Sequence, residues 1–427
     1  MNDVHAKPRV VFANFLSDLA VDLGESEALA HWAQQAPRKI WTLRPGDVLV
    51  TPLPLSEAFM TYACALLRMP PASVTVLDVP PAGAVPLAQA VREAELTERV
   101  RALAAAPGTV LLPTALDASA IGFAREIGVT VHPFPTVDAA GAALEVTMLL
   151  NTKAGFRDVA GQLGMRLPAG DVCRRAETPA TVSGLLEKYP RVVVKPDRSA
   201  GGHGLRFVGR EDRRWADEPL AAVGGAEGLW VVEECLDVAA SVSIQLENTA
   251  EGTRAVFHGA MRTVQGSFTG YLSPLPPQWA HLADELEEWG TKLGGHLAQY
   301  GYAGPFSLDA LVTEDGRLYA SESNIRRTAT TTPYAMVTRL TAASGPAHPT
   351  WALGKGRARH RFGLPEALER LAAHRLAFDP AHGAGVVLYA DEPADGHSWR
   401  YAVIAPHAAR LTELEDRLPG ALGFVSV

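Results

Sequence analysis

Two carboxylates thirteen positions apart, Asp309 and Glu322, flank the turn tripeptide Glu314-Asp315-Gly316. Its Asp-Gly step favours a tight hairpin. Residues 304–312 (GPFSLDALV) and 317–322 (RLYASE) read as the paired strands. Side chains directly opposite on one face of such a pair lie about 5 Å apart. Asn324, two residues beyond Glu322, falls on the same face as that carboxylate. Two adjacent carboxylates repel each other, and with the amide oxygen they form an all-oxygen set suited to Mg2+, which is usually shared with substrate phosphates. Arg326 and Arg327 follow at once. A guanidinium beside such a centre can steady charge on a transferring phosphoryl group or a tetrahedral intermediate.

A second stretch, residues 191–208 (RVVVKPDRSAGGHGLRFV), offers the complementary charge. Three valines form a short buried strand with Lys195 at its end. Ser199, Gly201, Gly202, His203 and Gly204 then make a small polar turn before a second strand at 205–208. Glycines let backbone N–H groups approach an anion closely, and the lysine adds a point charge. His203 sits where a phosphate contact is feasible. Lys153 opens a helix read over 151–164, in the first turn, where the helix dipole favours anions. Residues 151–214 hold 13 Lys+Arg and 7 Asp+Glu, an excess of +6 within a chain of net charge −8. Each signal alone also fits a solvated hairpin or an exposed lysine; together they fit a polyphosphate.

Strands at 9–15, 47–51, 73–77 and 109–112 alternate with alanine-rich helices at 26–36, 56–67, 87–105 and 118–127. That rhythm predicts a parallel sheet with helices on its faces. No G-x-G-x-x-G follows the first strand, so a dinucleotide fingerprint is missing. A helix at 181–189, the glycine-bearing hairpin and a charged helical segment at 211–222 come next. Residues 229–236 (LWVVEECL) then form a strongly apolar strand ending in Glu233 and Glu234. Period-two alternation at 241–246 and 255–261 indicates a half-buried antiparallel sheet. A helix at 282–300 leads into the carboxylate hairpin. The tail reads as a separate unit: helix 365–375, strands 385–390 and 399–405, helix 407–418.

In this order, the two lysines around a glycine loop, the apolar strand ending in Glu233-Glu234-x-Leu236 and the Asp/Glu/Asn cluster resemble the ATP-grasp superfamily over residues 151–340. The resemblance implies a Rossmann-like α/β pre-ATP-grasp domain (1–145), two α+β ATP-grasp subdomains (146–235 and 236–357) and a small α+β C-terminal domain (358–427). It implies that Lys153 and Lys195 contact the α/β phosphates of ATP and that the loop 199–204 closes over the β/γ phosphates. Glu233 to Leu236 would meet the adenine through backbone groups, with Glu234 or a neighbouring carboxylate near the ribose. Asp309, Glu322 and Asn324 would bind Mg2+, and Arg326 would act in catalysis with Asn324. Arg262 is a further phosphate candidate. The flanks, RPGDVLVTP at 44–52 and GAGVVLYA at 383–390, resemble peptide ligases of the pheganomycin type, which act in antibiotic biosynthesis and join a guanidino-bearing amino acid to a peptide amine. Here Ser323-Asn324-Ile325-Arg326 replaces the commoner Asn-Pro-Arg, leaving the role of Arg327 open.

The leading expectation is therefore an ADP-forming carboxylate–amine ligase using ATP and Mg2+, acting on small-molecule acids and amines or peptides. An ATP-grasp kinase of a small alcohol and a non-catalytic nucleotide-binding protein are the alternatives. The acidic net charge disfavours a nucleic-acid binder. Three scattered cysteines form neither a disulfide framework nor a metal motif. With no signal-like or membrane-length apolar run, a cytoplasmic protein is expected, with a homodimer plausible by the resemblance. No G-x-S-x-G or H-E-x-x-H occurs, against protease chemistry.

Overall fold

The computed structural model describes residues 7–17, 19, 33–80, 85–199, 204–212, 228–264, 267–343, 345 and 348–425. Five short strands near the N-terminus, β1 (Arg9–Phe12), β2 (Val48–Thr51), β3 (Thr75–Asp78), β4 (Val110–Pro113) and β5 (Thr130–Val131), form one parallel sheet in the order β3-β2-β1-β4-β5. The near-continuous apolar character of β2 and β4 follows from burial on both faces, whereas β3, at the edge, is only partly buried. The helix Glu57–Leu66 starts where the Ser56 side chain accepts from Phe59 N, and Ala118–Ile127 where Asp117 accepts from Ala120 N, so both have a side-chain N-cap. The single helix expected at 87–105 is two, Leu87–Glu93 and Thr97–Leu103. Glu95 at φ +58° lies in the break, a left-handed conformation that ends a helix. The helix expected at 26–36 falls largely outside the described residues, and a 3-10 helix occupies Ala36–Thr42.

Four strands form a small antiparallel sheet, β6 (Gly170–Arg174), β7 (Arg191–Pro196), β8 (Arg206–Gly209) and β9 (Leu229–Glu234), in the order β6-β9-β7-β8. It has its own core of Val182, Leu185, Val192, Val194, Trp230 and Val232. The charged segment expected at 211–222 lies almost wholly outside the described residues.

The central sheet has eight strands: β10 (Val238–Thr249), β11 (Gly252–Val264), β12 (Ser267–Ser273), β13 (Gly304–Thr313), β14 (Leu318–Asn324), β15 (Thr350–Arg357), β16 (Gly385–Leu388) and β17 (Ser398–Ala405). Their order is β14-β13-β10-β11-β12-β15-β17-β16. The tail strands β16 and β17, read from the sequence as a separate unit, thus extend the central sheet through the β15–β17 pairing. Helix Ala283–Gln299 buries Leu286, Leu293 and Leu297 in a core shared by one face of this sheet and the N-terminal unit. A second core joins the N-terminal unit to the tail, where Trp41 Nε1 donates to the Tyr389 carbonyl at 2.9 Å. No helix among the described residues is long and apolar enough to cross a membrane.

Candidate functional site

The carboxylate hairpin has the expected register: Asp309 stands opposite Glu322 and Ser307 opposite Asn324. The pairing shifts between Asp309 and Ala310, which leaves Ser321 unpaired at a bulge. The Asn324 amide is turned with its nitrogen donating to Asp309 Oδ2 at 3.1 Å, while its oxygen accepts from Arg326 Nη2 at 2.6 Å. The sequence placed that oxygen among the metal ligands; here Arg326 holds it. The other edge of the Arg326 guanidinium donates to Asn151 Oδ1, which also accepts from Ile325 N at 3.2 Å. Burial, and then the Glu322 carboxylate, push the Asp309 carboxyl well above the usual carboxylate range. A cation between the two would relieve that cost. Among the described residues no cluster of three or more His, Cys, Asp or Glu side chains forms. A pair of carboxylates nevertheless fits Mg2+, which takes one or two from protein and the remaining oxygens from phosphates and water.

Lys153 faces this pair. It begins the helix Lys153–Gln162, capped by Thr152, whose hydroxyl accepts from Gly155 N at 3.0 Å. Its ammonium lies 3.6 Å from Glu322 Oε2 and donates to the Ser199 carbonyl and hydroxyl at 3.1 and 3.0 Å. Burial lowers the Lys153 ammonium from its ordinary value, and Glu322 partly offsets this. The helix start is tied to the end of β7, where Asp197 accepts Ala154 N at 2.8 Å through its side chain and Lys153 N at 3.0 Å through its carbonyl. Ser199 thus lies against Lys153, and Gly204 resumes the described chain at φ +73°. Gly201, Gly202 and His203 lie outside the described residues.

Lys195 is paired with Glu233, both nearly fully buried. Glu233 also accepts from Arg157 Nη1 at 2.7 Å, and Arg157 Nη2 reaches the Pro168 and Gly170 carbonyls at 2.8 and 2.9 Å. The Glu233 carboxylate therefore bridges two cations and fixes Lys195. Glu234 accepts from Ala169 N at 2.8 Å, so its carboxylate already has a backbone partner. Leu236 lines the cavity described below. Arg262 does not; it makes a bidentate pair with Glu415 at 2.7 and 2.8 Å. Its neighbours Met261 and Thr263 line the cavity instead, as alternation along β11 requires. Arg327 donates to the Pro113 carbonyl at 2.7 Å, and its backbone N–H to Thr114 O at 3.0 Å, which docks the hairpin's exit on the N-terminal sheet. The two arginines left open by the sequence thus differ in their contacts: Arg326 is held by Asn324, beside the acidic pair, and by Asn151, and Arg327 by the neighbouring unit, while both line the cavity.

These groups open on one cavity of about 1420 Å3, with Lys153, Lys195, Asp309, Glu322, Asn324 and Arg326 in its wall. Asn14 and Thr114, just beyond the carboxyl ends of β1 and β4, line it too. In the order β3-β2-β1-β4-β5 the crossover direction reverses between those strands, the place where open α/β sheets form a crevice. Asn14 holds this corner by accepting from Thr114 N at 2.7 Å and donating to the Ala115 carbonyl at 2.8 Å. The sequence reading missed Asn151, Arg157 and Asn14. Each acts through a partner more than 70 residues away, and only Asn151 follows an apolar run ending at a predicted helix start.

The family model described as Pre ATP-grasp domain matches residues 36–129, and that described as PGM1 C-terminal domain matches residues 366–418. No curated protein matches the chain. Among solved structures, N5-carboxyaminoimidazole ribonucleotide synthetase from Thermus thermophilus superposes with a TM-score of 0.58 at 14% identity, covering 98% of this chain and 99% of that one. Biotin carboxylase from Campylobacter jejuni, in a β,γ-ATP complex, gives 0.60 at 14%, covering 98% and 92%. The biotin carboxylase domain dimer of Hydrogenobacter thermophilus 2-oxoglutarate carboxylase, in complex with MgADP, ADP and bicarbonate, gives 0.56 at 15%, covering 99% and 91%. At these identities the likeness is one of fold. The chain has an ATP-grasp architecture in which a parallel α/β unit precedes two antiparallel sheets.

Proposed function

We propose that this protein is an ATP- and Mg2+-dependent carboxylate–amine ligase that works through an acyl phosphate. The observation that carries this reading is the Asp309/Glu322 pair facing Lys153 across the cavity wall, 3.6 Å from ammonium to carboxylate. An acidic pair and a buried ammonium so close together suit a metal-bound polyphosphate better than a solvated hairpin. The ATP-grasp fold and the nucleotide-bound structures of its neighbours agree with it.

In the first step a carboxylate oxygen of the acid attacks the γ-phosphorus, and the bond to the β-phosphate oxygen breaks, releasing ADP. In the second, an amine nitrogen attacks the acyl carbon, the C–O bond to phosphate breaks, and the amine gives up a proton. Asp309 and Glu322 would hold Mg2+, which offsets the repulsion between two anions brought together. Lys153 and Lys195 place positive charge along the phosphates, Lys195 held in place by Glu233. Arg326, fixed between Asn151 and Asn324, carries the guanidinium that meets negative charge on the acyl oxygen. Water has to be kept from the acyl phosphate, which would otherwise hydrolyse.

The peptide-ligase form of this reading rests on the resemblance of the flanks at 44–52 and 383–390. In that form the acid, a guanidino-bearing amino acid among the candidates, joins the amine of a peptide or amino acid. A screen of acid and amine pairs for phosphate release with ATP and Mg2+ tests the function. Release that requires both partners is expected; release indifferent to the amine, with a phosphorylated alcohol as product, would identify a kinase.

A further inference from the structure

A second part of the cavity wall carries charge that the ligase chemistry above does not use. Arg38, in the 3-10 helix Ala36–Thr42, lines the cavity together with Lys355 of β15 and Arg400 of β17. Arg38 is 5% exposed, and its Nε is buried without a hydrogen-bond partner. Its other contacts are weak: Nη1 lies 3.4 Å from Gln35 Oε1, and the guanidinium sits 5.1 Å from the Tyr389 ring centroid. Lys355 and Arg400 stand directly opposite each other in the β15–β17 register, an arrangement of like charges that costs stability. The Lys355 ammonium donates to the Phe268 carbonyl at 3.1 Å. Lys39, beside Arg38, is also buried. Among the described residues no carboxylate forms an ion pair with Arg38, Lys39, Lys355 or Arg400.

Burial of unpaired charge is costly unless something neutralises it. Burial brings the Arg38 guanidinium down to about 10, with Arg400 adding to the shift. Lys355 is exposed at the cavity surface, where partial desolvation, with Arg400 and Arg38 nearby, brings its ammonium to about 8. Three cations of three different elements converge on one concave surface, and a guanidinium fork matches the geometry of a carboxylate or phosphate.

We propose that this wall is a substrate subsite for an anionic group, a carboxylate or phosphate, held by Arg38 and Arg400 with Lys355 as a third charge. The assignment of that group to a ligase substrate rests on the proposed function; the anion site itself does not. A guanidino group reaching the same wall meets like charge. The substrate part bound there is therefore acidic, and any guanidino function points elsewhere.

Isothermal titration of succinate and of inorganic phosphate into protein saturated with MgADP tests the site. The wild type binds at least one anion, and Arg400→Met and Lys355→Met each weaken it about tenfold or more, as expected for one lost charge-assisted contact. Arg38→Met does the same wherever its melting curve shows a folded protein; the other two variants decide the matter if it does not fold. No binding by the wild type, or equal binding by Arg400→Met and Lys355→Met, overturns the proposal. Phosphate release then locates the anion. Activity with glycylglycine but not with its amide puts the anion on the amine substrate, and activity with succinate but not propionate puts it on the acid. Anion binding that the variants abolish, in a protein that turns over no acid–amine pair, sustains the subsite and defeats the ligase reading.

Discussion

At the residue scale the account turns on charges that would be costly without their partners. Asp309 and Glu322 repel across a strand pair, and burial raises that cost. Glu322→Gln removes the repulsion and one of the proposed metal ligands together. It should lower turnover at least about 100-fold, while the melting temperature stays the same or rises. A variant with near-normal activity would remove the metal assignment. The Lys355 ammonium, at about 8, is charged below that pH and neutral above it. Affinity for succinate, whose own charge is constant in this range, should therefore fall as the pH is raised from about 7 to about 9. In Lys355→Met that slope should flatten; an equal slope would place the titrating group elsewhere. The acidic pair was legible because one hairpin carries it and its register follows from a short turn. Glu233 was legible as a residue of the site through its backbone, and its side chain was not assigned; the structure sets that carboxylate between Lys195 and Arg157. Arg157 sits on a helix face whose periodicity looks like any other, so nothing local marks it.

At the scale of elements, close backbone approach fixes the Lys195 side of the cavity. Gly170 of β6 packs so tightly on β9 that a Cβ there would come within 2.2 Å of the Val232 carbonyl and 2.7 Å of Glu233 Cα. Its carbonyl also receives Arg157. Gly170→Ala must push β6 off β9 and loosen the Arg157–Glu233–Lys195 chain. We expect a loss of about 1–3 kcal/mol in urea unfolding and weaker MgATP binding. Unchanged binding in a destabilised protein would confine Glu233 to a structural role. Helix and strand positions were mostly readable from hydrophobic period, and the hairpin of β13 and β14 emerged with its pairing intact. The 87–105 stretch was not, because its alanine-rich pattern continues through a left-handed residue at Glu95 that no glycine announces. The basic wall was hidden for a different reason. Arg38, Lys355 and Arg400 come from three elements distant in the chain, and the β12–β15 and β15–β17 pairings bring the tail beside the cavity.

At the scale of the molecule, two large cores bind the N-terminal unit to the central sheet and the tail, whereas the small sheet β6-β9-β7-β8 keeps a core of its own. Lys195 lies on that small sheet, Asp309 and Glu322 on the central one, so a bound nucleotide would bridge the two. Hydrogen exchange should therefore slow in Arg191–Pro196 and Leu229–Glu234 when MgADP is added, with β1 to β5 unaffected. Equal protection across the chain, or none, would speak against a nucleotide bridging the sheets. The central claim, activation of a carboxylate as an acyl phosphate, is tested most directly by the identity of the nucleotide product. Phosphorus NMR of the enzyme with ATP, Mg2+ and a panel of acid and amine pairs should show ADP and orthophosphate forming in equal amounts, and neither forming with Glu322→Gln. AMP with pyrophosphate, or ATP left intact with every pair, would contradict it.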